Sequence, residues 1–398
     1  MRTRRGVSTP IVIGAVVIIA IIAVGAFVVL SSKGTPATTG STTLSSSSTT
    51  NSSSSSSSST TSSSSTSAVD PDAALYQAAL KEGTVVVYGS PTAQQFANIT
   101  AAFNAKYPGI NVQYTSLQPP QAVPRINAEL ASSQGYSADI AFQAATTVYP
   151  MEQSGDAIPY VSPFSAGFPK AILDPFNDST PIIQLAIGWV YNTQLIKPAN
   201  VPTTMAQVAN SQFKGEVVMN DPTTGTAFTQ YWASLEGVLG NATVVNFLQA
   251  LKNQTSPVIL PTTTSCATDV AGSAHAICLS AYMQEAAPDI QAGGPLKFLN
   301  ITGLPIMITP SNSMIIKNAQ HPNAAKLLTD FMASNAGQVA WGNIDVRTPA
   351  NPNVTAKWSF TSELKNFDPG AGTQVYFPTP SVAAAASAWG KTFAFLKS

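Results

Sequence analysis

The chain has 398 residues, with 19 Lys and Arg against 19 Asp and Glu, and a formal net charge of zero at pH 7. Charged residues make up 10% of it, against about a quarter in an average protein, which excludes the basic surface that nucleic-acid binding requires. The length exceeds one ordinary domain, so two lobes or domains are expected once the tails are set aside.

The first ten residues are a basic segment carrying Arg2, Arg4 and Arg5, and residues 11–30, IVIGAVVIIAIIAVGAFVVL, hold no charge. At about 1.5 Å per helical residue that run spans roughly 30 Å, the thickness of a bilayer core. The arginines favour a cytoplasmic N-terminus, so a transmembrane or signal-anchor helix is expected at 11–30 with the rest of the chain outside. SSKGT after the run is a poor cleavage site for a secretory signal. The order of basic residues, Gly6, Val7-Ser8 and a long apolar run resembles the class III, pilin-type signals of archaeal surface proteins. Cleavage in those follows the glycine and leaves the helix on the mature chain.

Residues 31–69 form a linker that is almost entirely Ser and Thr. With no apolar surface to offset ordering, it is expected to be a disordered, solvated stalk with a span on the order of 35 Å. Asn-X-Ser/Thr sequons at Asn98, Asn177, Asn241, Asn253, Asn300 and Asn353 agree with an exported glycoprotein.

From residue 70 the pattern becomes that of a fold. Asp72 to Lys81 predicts a helix, Thr84 to Tyr88 a β-branched strand, and Ala93 to Tyr107 a helix stopped by Pro108-Gly109. Ile110 to Thr115 is a strand, Val123 to Ser133 a helix and Asp139 to Phe142 a strand. This succession predicts a parallel sheet covered on both faces. After Pro-rich chain from Pro150 to Pro181, Ile182 to Thr193 is an apolar run long enough to pass between lobes. A second alternation follows: strand Gly215 to Asn220, helices Ala227 to Leu239 and Ala242 to Asn253, strand His275 to Ser280. Leu304 to Lys317 is another long run, broken at Pro310-Ser311-Asn312. Two such runs around an inserted unit predict crossover strands at a hinge. Lobe 1 is then expected at 70–185 and 305–345, and lobe 2 at 186–304 and 346–398.

Cys266 and Cys278 have two readings, a disulfide closing a loop over a short helix and strand, or two buried free thiols. A metal pair is a poorer fit, because His275 is the one further soft ligand nearby.

Five collinear segments carry a resemblance: LYQAALKEGTVVVYGSPT (75–92), FNAKYPGINVQY (103–114), GWVYNT (188–193), FKGEVVMNDPTTGTA (213–227) and HPNAAKLLTDFMASNAGQ (321–338). Together they resemble the extracellular solute-binding proteins of ABC importers, in the branch that binds ferric iron, thiamine and phosphonates. The resemblance implies an α/β fold of two lobes, type II periplasmic-binding-protein-like, closing on a small-molecule or ion ligand. It also implies docking on an ABC permease in the membrane and no chemistry. Family members are commonly lipoproteins or free periplasmic proteins; a helix and a Ser/Thr stalk in place of a lipobox cysteine resembles the archaeal form.

In open sheets, ligands sit beyond the carboxyl ends of strands, against helix N-termini. Gly89-Ser90-Pro91-Thr92 occupies that place in the first lobe, and Asp221-Pro222-Thr223-Thr224-Gly225-Thr226 in the second. Neutral hydroxyls and close-approaching glycines suit an anion, so Ser90, Thr92, Thr223, Thr224, Gly225 and Thr226 are candidate contacts, with ordinary capping as the alternative. Tyr282 lies where iron-binding members carry two adjacent tyrosines, but Met283 replaces the second. Tyr282 is the candidate metal ligand, with Tyr88 and an external anion completing a ferric site, and ferric iron is the alternative cargo. Gln143 and Ser311 are further candidate lining residues at strand ends and hinge turns. Trp189, Trp232 and Trp341 are read first as core. An exported hydrolase would need a nucleophile with a His base, and the two histidines sit in poor contexts with no G-x-S-x-G. A surface adhesin would need only the stalk and anchor, and would not close on a solute.

Overall fold

The computed structural model describes residues 72–132, 138–224, 227–261, 265–344, 347–356, 374–376, 378–379, 382 and 388–398. The expected anchor at 11–30 and linker at 31–69 lie outside the described residues, as do Gly225 and Thr226.

The first lobe opens with α1 (Ala73–Glu82), β1 (Thr84–Gly89), α2 (Ala93–Lys106), β2 (Asn111–Ser116), α3 (Pro119–Ala131), β3 (Ile140–Ala144), α4 (Ala145–Gln153) and β4 (Ala157–Ile158). Gly83 ends α1 in the left-handed region at φ 69°, a conformation that costs glycine little and lets the chain turn straight into β1. Thr92 starts α2 with a reciprocal capping box: its hydroxyl accepts from Gln95 N–H while Gln95 Oε1 accepts from Thr92 N–H.

The hinge strand β5 (Ser179–Asn192) leads to α5 (Met205–Val208), β6 (Val217–Asn220), α6 (Ala227–Leu239), α7 (Asn241–Thr255), β7 (Val258–Leu260), α8 (Cys266–Ala271), β8 (Ile277–Tyr282), α9 (Met283–Gln291) and β9 (Leu296–Phe298). The chain returns along β10 (Ile306–Ile316) to α10 (Pro322–Ala333), α11 (Asn335–Asn343), β11 (Thr348–Pro349) and β12 (Gln374–Tyr376).

All these strands join one sheet in the order β2-β1-β3-β10-β5-β8-β6-β7, with β4, β9, β11 and β12 pairing alongside. The expected parallel sheet is corrected to a mixed one. β2, β1 and β3 are parallel, but β10 runs antiparallel to both β3 and β5, because the crossover brings it back from the second lobe. The expected break at Pro310-Ser311-Asn312 is also corrected. β10 continues through it, and β5 absorbs the irregularity as a register shift between Ser311 and Asn312.

Two main cores lie on either side of the crossing strands. Phe96, Phe103, Phe142, Leu327, Phe331 and Trp341 belong to the first, and Trp189, Trp232, Phe247, Leu251 and Met307 to the second. Trp189 stacks on Phe247 at 5.5 Å and donates its indole N–H to Tyr231 Oη at 2.9 Å, so the tryptophans are core residues. Thr348 and Pro349 pair with Gln184 and Ile183, and Ala350 packs in the first core.

Cys266 at the start of α8 and Cys278 in β8 are disulfide-bonded, with Cα atoms 5.5 Å apart. Asp139 receives His321 N–H and Nδ1 at 2.9 Å each, fixing the approach to α10. His275 Nδ1 lies 2.5 Å from Asp269, so both histidines are held in structural carboxylate pairs.

Candidate ligand cleft

A cavity of about 460 Å³ opens where the first-lobe strand ends face the helix starts of the second lobe. Ser90 and Thr92 after β1, Gln118 before α3, and Gln143 and Ala144 at the end of β3 form one wall. Ala227 and Phe228 of α6, Ser265 and Thr268 of α8, and Tyr282, Gln284 and Glu285 at the β8–α9 junction form the other. Leu185 of the hinge strand β5 and Arg347 beside β11 close the floor.

Four predicted residues thus meet in one place: Ser90, Thr92, Gln143 and Tyr282. Thr92 is exposed, and its hydroxyl already caps α2. Gln143 is fully buried; its Nε2 donates to the Leu117 carbonyl at 3.0 Å, and its Oε1 has no hydrogen-bond partner among the described residues. Tyr282 packs against Phe228 at 5.3 Å between ring centroids. Burial pushes its phenol well above the ordinary range and the Glu285 carboxylate adds to this, while the Arg347 charge opposes both.

Thr223 and Thr224 sit nearby. The Thr223 N–H and hydroxyl both donate to Asp221 Oδ1, at 2.9 and 2.6 Å, in an Asx turn. Thr224 is exposed and borders an adjoining cavity of about 550 Å³, whose wall shares Pro119 and Pro120 with the main cleft. Lys397 from the chain end forms an ion pair with Asp221. Burial works to raise the Asp221 pKa, but Lys397 and the Thr223 donors outweigh it and hold the carboxylate below its usual range. This loop is therefore neutralised from within its own lobe.

Two predicted contacts are placed elsewhere. Tyr88 is buried under α3, where its hydroxyl donates to Glu129 Oε1 at 2.9 Å and its ring lies 4.5 Å from the Arg125 guanidinium. Its position at a strand end did not say which sheet face it takes, and here that face is the core side. Ser311 is buried in β10 between Ile183 and Ala144. The ferric site expected from Tyr88 and Tyr282 is not assembled, and among the described residues no group of three His, Cys, Asp or Glu is placed to hold a metal ion.

Arg347 and Glu285 are the charged residues among the lining positions that the sequence did not point to. Arg347 Nη2 donates at 3.0 Å to Gln95 Oε1, the same oxygen that receives Thr92 N–H, so the guanidinium is tied to the start of α2. Glu285 Oε2 receives the Ser265 hydroxyl at 2.6 Å. Glu285 touches solvent, yet the cleft walls crowd it and push its pKa up, against the Ser265 hydroxyl and the Arg347 charge. Scarcity was the available signal, since only Arg125 and Arg347 follow the N-terminal arginines.

The family model for bacterial extracellular solute-binding proteins matches residues 98–367, about two thirds of the chain. The chain belongs to this family. It is the solute-binding component of an ABC transporter, and the family places it outside the cytoplasmic membrane. Solved structures agree in fold. AfuA from Actinobacillus pleuropneumoniae, with exogenous fructose-6-phosphate bound, matches at TM-score 0.65 and 20% identity over 78% of this chain and 96% of that one. Iron-bound HitA from Pseudomonas aeruginosa matches at 0.61 and 18% over 79% and 99%. The apo ferric ion-binding protein A of Pasteurella haemolytica matches at 0.63 and 14% over 79% and 98%. No curated protein sequence matches the chain. Family and fold are those of transport-associated binding proteins rather than enzymes. Among the described residues no helix is long and apolar enough to cross a membrane.

Proposed function

We propose that the solute is a small anion, of the oxyanion, organic phosphate or phosphonate class, held between the lobes and handed to a membrane permease. The observation that carries this reading is Arg347, the cationic side chain among the described residues lining the cleft. A guanidinium presents a planar fork of donors suited to carboxylate or phosphate oxygens, and Gln95 orients it. Ser90, Thr92 and the start of α2 supply neutral donors beside it. AfuA, with its sugar phosphate, is a fold relative in keeping with this class.

Ferric iron is the second reading, favoured by Tyr282 and Glu285 as oxygen ligands on one wall and by the iron-bound HitA fold relative. The displacement of Tyr88 and the raised Tyr282 phenol weaken it. The proposal also includes anchoring through residues 11–30 and a glycosylated stalk at 31–69, supported by the uncharged apolar run and the Ser/Thr composition. Asn98, Asn177, Asn241, Asn253 and Asn353 are exposed, as glycan acceptors must be, while Asn300 is half-buried.

A thermal-shift panel on the full-length chain in detergent tests the ligand class, using inorganic phosphate, alkylphosphonates, sugar phosphates and ferric citrate. Anion capture predicts a rise in Tm with at least one phosphate or phosphonate, lost in Arg347→Gln. A rise with ferric citrate alone would replace this reading with the ferric one.

A further inference from the structure

The cleft that holds Arg347 also holds acceptor oxygens that an ionised acid group does not satisfy. Glu285 adds a negative charge on the opposite wall, and Gln143 presents a fully buried carbonyl oxygen without a partner among the described residues. The Leu117 carbonyl takes the Gln143 amide hydrogen, so the amide orientation is fixed and the oxygen is the end left over. The acid group of a fully ionised oxyanion brings only acceptors to these two oxygens, so a donor elsewhere on the ligand is needed to meet them. An acceptor facing an acceptor in a crowded site costs the desolvation of both groups.

Charge balance leads the same way. With Glu285 ionised, the charged lining residues among those described, Arg347 and Glu285, sum to zero. A monoanion bound at Arg347 takes up the charge that opposes Glu285 and leaves the filled cleft net negative, and a phosphate dianion leaves it more so. A monoanionic acid group joined to an ammonium keeps the filled cleft at zero and gives donors to the Glu285 carboxylate and to the unpartnered Gln143 oxygen. The Ser265 hydroxyl that holds Glu285 at 2.6 Å keeps the carboxylate placed for such a partner.

We infer that the solute is a small zwitterion, with its acid group on Arg347 and its ammonium between Glu285 on one wall of the cleft and Gln143 on the other. This rests on the anion-capture reading and adds the second pole of the ligand.

Calorimetric titration of the full-length chain at pH 7.5 tests it with two matched series: aminoalkylphosphonates with two, three and four methylenes, and the alkylphosphonates of the same lengths. At one length the amino compound is expected to bind at least about tenfold tighter than its partner, the usual weight of a charge-assisted hydrogen bond. Glu285→Gln is expected to bring the two within about twofold and to lower the alkylphosphonate Kd, because it removes the charge that opposes a bound anion. Amino compounds that bind no tighter at any length, or a preference that survives Glu285→Gln, would overturn the zwitterion and leave anion capture standing. If neither series binds at millimolar concentration, the anion-capture reading falls and the inference falls with it.

Discussion

Replacing Glu152 by Gln probes a buried acid on which the first lobe's pH response depends. Glu152 lies in α4 with 5% of its surface exposed, and neither carboxylate oxygen has a hydrogen-bond partner among the described residues. Beside it the Asp174 carboxylate already takes the N–H groups of Phe176, Asp178 and Ser179. Burial first, and the Asp174 and Asp178 charges next, push the Glu152 pKa from 4.5 to about 8, against the nearby Ser179 hydroxyl. The folded state therefore keeps a proton that the unfolded chain releases near pH 4.5. This contribution to stability is complete below pH 4.5, falls as pH rises, and is exhausted once pH passes about 8. The slope is about 1.4 kcal/mol per pH unit, which gives at most about 4 kcal/mol between pH 5 and 8, since water entry on ionisation reduces it. Glu152→Gln removes the titration, so the variant should gain on the wild type steadily across that window and level off above it. Urea unfolding at pH 5, 6, 7 and 8 reads the difference. A gap that stays constant with pH would refute the account of Glu152 as a proton-holding group.

Three further substitutions test how the frame holds the cleft. A Cβ on Gly89 would lie 2.7 Å from Tyr114 Cε2 and Oη, and that ring is stacked at 4.0 Å on Phe96 with its hydroxyl bonded to the Pro91 carbonyl. Gly89→Ala is expected to cost about 1–3 kcal/mol in urea unfolding and to weaken ligand binding through the displaced Ser90-Pro91-Thr92 turn; a neutral result would show that Tyr114 yields freely. Substituting both Cys266 and Cys278 with Ala should lower stability by about 3 kcal/mol, with the Tm of the variant insensitive to reductant and that of the wild type sensitive. Glu82→Ala removes the carboxylate that accepts Asn323 N–H, Asn323 Nδ2 and Ala324 N–H at the start of α10, and should cost about 1–2 kcal/mol and speed amide exchange in the first turn of α10.

The fold was legible where periodicity is strong. The runs from Ile182 and Leu304 became β5 and β10, because long uncharged β-branched stretches have few other ways to be buried on both faces. What periodicity could not reveal was direction: nothing in the Leu304 run says that it returns antiparallel between β3 and β5. The site was legible at strand-to-helix junctions, where Ser90, Thr92, Gln143 and Tyr282 converge. It was illegible where position depends on tertiary return. Arg347 reaches the cleft only because β11 pairs back onto Gln184 and Ile183, and Glu285 reads in sequence as an ordinary acid in the first turn of a helix. Tyr88 failed for the reason that any buried strand residue can: with both sheet faces covered, alternation does not separate the cleft from the core.

The most direct measurement is a crystal structure of the chain with the tightest-binding phosphate or phosphonate of the thermal-shift panel. The account predicts the acid group between the lobes, its oxygens within about 3 Å of the Arg347 guanidinium, with Tyr282 and Gln143 on the walls around it. Ligand bound at Asp221 and Lys397, or in the cleft with Arg347 untouched, would contradict it.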